Sequence, residues 1–174
     1  MAVATATYTI RAAAPALSPG TATYTSSVTV TITDSAPGAT IYYTTDGSTP
    51  TTVSTPYTGP ISVTQTTTVK AIAAKAGTTN STMATATYTL RTATPTFSPS
   101  GGSYILPQLV SISDNTPGAT IYYTTDGSTP TTSSPQYTGP ILVILTTTIK
   151  AIAVAPGWSQ SPVATATYTA LLGL

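Results

Sequence analysis

Four acids, Asp34, Asp46, Asp114 and Asp126, and five bases, Arg11, Lys70, Lys75, Arg91 and Lys150, are the charged side chains of this 174-residue chain. Glutamate, histidine and cysteine are absent. A glycosidase-type carboxylate pair needs two acids about 5–10 Å apart with separated pKa values. Each aspartate here stands instead in a turn sequence, beside Pro37-Gly38 or Gly47 and their copies, where Asp caps backbone N–H groups. Without His or Cys, serine–histidine and cysteine–histidine nucleophiles are unavailable, and no thiolate or imidazole metal site can form. Asp46-Gly47-Ser48-Thr49 offers calcium one acid per copy, far short of the several a calcium loop uses. The expectation is no catalytic residue, no metal and no cofactor.

Aromatic side chains are the remaining source of recognition chemistry. Tyr42-Tyr43 and Tyr122-Tyr123 are adjacent pairs, and neighbours in a strand point to opposite faces. One tyrosine of each pair, Tyr42 or Tyr122, is therefore a candidate outward contact, either for a polysaccharide or for ordinary cross-strand packing. Trp158 lies in the turn Pro156-Gly157-Trp158-Ser159, as an end plug or as a contact to a ligand or partner. Lys70 and Lys150 fall mid-strand, which suggests an exposed edge or a weak ion pair; an isopeptide bond is the sharper alternative. Asn80-Ser81-Thr82 is a glycosylation triplet of a kind that arises easily in a threonine-rich chain.

These residues recur with an uninterrupted period of 80: Tyr8, Tyr88 and Tyr168, Asp46 and Asp126, Lys70 and Lys150. Residues 11–90 align without a gap to 91–170, and about 47 of those 80 positions are the same. The segment PGATIYYTTDGSTPTT repeats unchanged from Pro37 and from Pro117. Two copies of one fold follow, with residues 1–10 as an extra copy of the repeat's last strand, 11–90 as repeat 1 and 91–174 as repeat 2.

Within each copy the elements that must position these residues read as strands. Residues 28–33 alternate apolar and polar with period two. Residues 39–45 are β-branched and aromatic and close on Asp46-Gly47, a strong turn signal. Pro50, Pro56 and Pro60 break the next segment into short edge pieces. Residues 66–74 and 83–90 are strands, the last with Ala84, Ala86, Tyr88 and Leu90 on the face that should pack inward. Six or seven short strands in about 80 residues describe two tandem Ig-like or fibronectin-III-like β-sandwiches, an all-β fold.

The block PGATIYYTTDGSTPT, followed by YTGPI, TTTVKAIA and ATATYT, resembles the chitobiase/β-hexosaminidase C-terminal type of domain across both repeats. The resemblance implies Ig-like, non-catalytic accessory modules of bacterial surface and secreted proteins, usually strung in tandem. It does not bring the hydrolase activity of the family's name, because the catalytic domain is not in this sequence.

Charged residues make up 5% of the chain and the net charge is +1, too little to follow a phosphate track, so nucleic acid is not an expected partner. Residues 1–30 lack a basic start followed by an apolar run, so the chain reads as a mature form or a piece of a longer one. The apolar run Ile141-Leu142-Val143-Ile144-Leu145 is too short to cross a bilayer. The expected setting is extracellular or cell-surface, and the expected partners are other copies, neighbouring Ig-like modules or polysaccharide. The spare N-terminal strand, with Ala4, Ala6, Tyr8 and Ile10 on one face, is either a linker remnant of a longer array or a donor that completes a neighbour's sheet. Both readings stand at this point.

Overall fold

A run of alternating Val, Thr and Ile cannot sit still as a helix, because its apolar side chains would spiral around the axis. The computed structural model, which describes residues 3–4, 6–105 and 107–171, is accordingly all-β. It divides into two compact units, Met1–Thr89 and Leu90–Leu174.

In unit 1, β1 (Ala16–Ser18), β3 (Val28–Thr33) and β6 (Ile61–Val63) form one sheet in the order β1-β3-β6. β2 (Ala22–Tyr24), β4 (Thr40–Thr44), β5 (Thr55–Pro56), β7 (Thr67–Ala74) and β8 (Ala84–Leu90) form the other, in the order β2-β8-β7-β4-β5. Unit 2 repeats the plan. Its smaller sheet has the order β13-β11-β9, from β9 (Thr96–Ser98), β11 (Gln108–Ser113) and β13 (Ile141–Val143). Its larger sheet has the order β10-β15-β14-β12, from β10 (Gly102–Tyr104), β12 (Thr120–Thr124), β14 (Thr147–Val154) and β15 (Ala164–Ala170). Where unit 1 has β5, unit 2 has a bridge between Tyr122 and Gln136. The long strands are antiparallel, while β10 runs parallel to β15.

The period-two pattern decides which side chains meet. Val110 and Ile112 of β11 and Val143 of β13 face Ile149 and Ala151 of β14 and Ala166 and Tyr168 of β15 in one buried cluster drawn from both sheets. Val30, Ile32, Val63, Val69, Ala71, Ala86 and Tyr88 are the buried counterparts in unit 1. Ala86, Tyr88 and Leu90 are buried while Thr85 is exposed, as the alternation in this strand requires. Tyr88 and Tyr168 are the largest fully buried side chains, and each stacks a tilted ring on its own unit's Tyr24 or Tyr104. Burial does not orphan the phenols: Tyr88 donates to the Pro19 carbonyl at 2.8 Å and Tyr168 to the Pro99 carbonyl at 2.7 Å.

The turns follow the residues that demand them. Gly38 and Gly118 have φ of 75° and 71°, the left-handed region that glycine enters without steric cost. Pro37 and Pro117 precede them, and the Ala39 and Ala119 amides close onto the carbonyls of Ala36 and Thr116, the bond expected of a Pro-Gly type II turn.

Residues 6–10 contribute to no strand and are exposed. Tyr8 is 89% exposed, whereas Tyr88 and Tyr168, in register with it, are each 0% exposed. Ile10 nevertheless marks the point where the chain joins the fold. The Thr79 amide donates to the Ile10 carbonyl at 2.9 Å, and the Ala12 amide donates to the Thr79 carbonyl at 3.0 Å. In unit 2 the Ser159 amide donates to Leu90 and the Thr92 amide donates back to Ser159, at 2.8 and 3.0 Å. Both units thus receive the incoming chain by the same pair of bonds.

Candidate functional site

Each aspartate is committed to its own turn. The Asp46 Oδ1 accepts from the Ser48 amide at 2.9 Å and from the Ser48 hydroxyl at 2.6 Å, and Asp126 repeats both bonds with Ser128. Those bonds, the hydroxyl's first, hold both carboxyls below the ordinary range. Asp34 and Asp114 accept from the Ala36 and Thr116 amides, and the second oxygen of each is buried without a hydrogen-bond partner. Among the described residues, no group of three or more His, Cys, Asp or Glu gathers in one place.

Lys70 sends its Nζ to the Gly47 carbonyl at 2.6 Å, tying β7 to the Asp46-Gly47 turn rather than lying loose on an edge. The Ser81 of the glycosylation triplet is buried: the Ala73 amide donates to its Oγ, which donates in turn to the Thr82 carbonyl. Ser161 makes the same bonds in unit 2, where the triplet is missing, so the serine is kept for the sheet. Its signal in the sequence was the recurrence of Ser at both positions.

The aromatic candidates separate by face. Tyr43 and Tyr123 turn toward the core side and meet Tyr57 and Tyr137 edge-on, at 6.2 and 6.3 Å. Tyr42 and Tyr122 therefore lie on the other face. They are half-buried, directly opposite Ile72 and Ile152 in the neighbouring strand. Two open hollows adjoin Tyr43. One, of about 260 Å³, is lined with Thr44, Thr45, Asp46, Ser54 and Thr55; the other, of about 320 Å³, runs along residues 61–65. Trp158 is half-buried at the end of a turn in which its amide donates to the Ala155 carbonyl at 3.1 Å. Tyr42 belongs to unit 1 and Tyr122 and Trp158 to unit 2, and Ala4, Ala6, Tyr8 and Ile10 are exposed and outside any strand.

With this geometry in hand, the comparisons have a plain reading. The family model described as chitobiase/beta-hexosaminidase C-terminal domain matches twice, over residues 19–87 and 99–166. The chain belongs to that family. Both matches fall inside the two sandwiches, and together they leave out the spare N-terminal segment. A search of curated proteins found no match. Among solved structures, the fibronectin(III)-like modules of Clostridium thermocellum CbhA are 14% identical, cover 90% of this chain and 93% of theirs, and give a TM-score of 0.31. Domains 7, 8 and 9 of the S-layer protein SbsC are 16% identical, cover 95% of this chain and 64% of theirs, and give 0.28.

The ionisable groups make a pH prediction. Asp46 and Asp126 have lowered pKa values in the fold, so their contribution is present above the unfolded carboxylate range and is lost as pH falls through the folded values. Burial, reinforced by Tyr24 or Tyr104, raises the Tyr88 and Tyr168 phenols, so stability is lost as pH rises beyond the ordinary tyrosine range. With His, Cys and Glu absent, thermal unfolding should be flat between about pH 5 and 9 and fall on both sides. A maximum or step near pH 6–7 in a calorimetric series would contradict it.

Proposed function

We propose that this chain is a non-catalytic structural module of an exported or surface-associated protein, built to be joined in series. One observation carries the reading: residues 10–12 enter unit 1 through the same backbone bonds with Thr79 that residues 90–92 make with Ser159. A joint used twice in one chain is a joint made for repetition. Support also comes from the family, from hydroxyl-rich surfaces and from aspartates held in turns. A polysaccharide-binding role has less support, because Tyr42, Tyr122 and Trp158 are half-buried.

In this reading the spare strand is the connector. Residues 3–9, VATATYT, are the same as 163–169, and both units already hold a last strand, β8 or β15. As a connector the segment exchanges for β15 of a second copy, with Ala4, Ala6, Tyr8 and Ile10 forming its inward face. Exchange of like elements between copies is a low-cost route to assembly. Electron micrographs of the purified chain should show end-to-end strings that vanish when residues 1–10 are deleted. Strings that survive the deletion would refute the connector role.

A further inference from the structure

The two units differ most in one place. In unit 2, on β11 and β13 or close to them in sequence, Ile105, Leu109, Leu142, Ile144 and Leu145 are each between 60% and 72% exposed. Unit 1 has Thr25, Thr29, Ser62, Thr64 and Gln65 at the same positions of the repeat. Leu109 and Leu142 are direct cross-strand partners, so their side chains share one face, and Ile144 follows two residues after Leu142. β13 is an edge strand, its partner in the sheet being β11. An apolar, uncharged edge is the arrangement most soluble β proteins avoid.

Five such side chains present roughly 600 Å² of apolar surface, the upper end of what a solitary protein shows. Two copies facing each other would cover roughly 1,200 Å², the lower bound for a specific pair. No charged residue lies in β11 or β13, so a like surface meets no repulsion. We propose that this face is a self-association surface, on which a second copy of the chain seats the same residues about a twofold axis. The inference is independent of the N-terminal connector.

Sedimentation velocity from low to high micromolar concentration tests it. The chain without residues 1–10, which lacks the connector, should pass from monomer to dimer, and L109T/L142S in it, which imports the residues of unit 1, should weaken pairing by about tenfold or more. Because unit 1 folds with those residues, the variant keeps its fold, which circular dichroism checks. In the intact chain L109T/L142S should leave the end-to-end strings in place. A monomer at every concentration, an undiminished dimer in L109T/L142S, or strings lost from the intact L109T/L142S chain would each overturn the proposal. So would a monomer that co-sediments with phosphatidylcholine vesicles, which would make the face a lipid contact.

Discussion

Tyr168→Ala should unfold unit 2 while unit 1 remains folded, and Tyr8→Ala should change nothing measurable in the monomer. The three tyrosines share the sequence context ATATYT, so the contrast isolates burial from chemistry. Tyr168 fills the space between the sheets, touches Tyr104 and caps the Pro99 carbonyl. Removing a buried aromatic costs about 3–5 kcal/mol, and leaving the carbonyl without its donor adds about 1 kcal/mol or more. A small domain holds about 5–15 kcal/mol in total, and a unit this small, with its modest core, stands at the low end of that range, so unit 2 keeps little or nothing. Denaturant titration of dilute protein should resolve two transitions, one moved sharply to lower concentration. Tyr168→Phe keeps the ring and loses only the phenol's bond, so its cost should be near 1 kcal/mol. A large loss in Tyr8→Ala would mean that the N-terminal segment docks on its own chain, against the exposure seen here.

That contrast also marks how far the sequence could be read. The long strands were legible because alternation over five or more residues leaves one solution for each face: residues 28–33, 39–45, 66–74 and 83–90 contain β3, β4, β7 and β8. The three-residue strands near the start of each unit, β1, β2, β9 and β10, were not. Gly101-Gly102-Ser103 looks like a loop, yet Gly102 pairs with Tyr168 in a parallel ladder. Three residues are too few to show a period, and parallel pairing adds no local turn signal. The same contact is built differently in unit 1, where the Thr21 hydroxyl accepts from the Thr87 amide at 3.0 Å. A side chain on Gly101 would lie 3.0 Å from the Thr167 backbone nitrogen, so the backbones approach directly there. Lys70 escaped for a related reason: its partner is a carbonyl 23 residues away in sequence, and carbonyls carry no residue signature. Of the candidate site, the turn aspartates were readable from spacing. The apolar face of unit 2 required knowing that Leu109 and Leu142 lie opposite each other.

The repeat also supplies the sharpest test of that face, because unit 1 is the same scaffold with polar residues in its place. Installing T29L, S62L, T64I and Q65L in unit 1 of the chain without residues 1–10 should give each chain two association surfaces instead of one. A molecule with one twofold surface stops at the dimer, whereas one with two such surfaces keeps growing. The β3–β6 register places Thr29 opposite Ser62, just as β11–β13 places Leu109 opposite Leu142, so the graft recreates the cross-strand pair. Sedimentation should show species well beyond the dimer that increase with concentration. Adding L109T/L142S to the graft should return the chain to a single monomer–dimer equilibrium, now carried by unit 1. A graft that stops at the dimer would mean that these side chains do not suffice. In that case the exposure of Leu109 and Leu142 would be incidental to assembly, and the two units would differ in surface without differing in role.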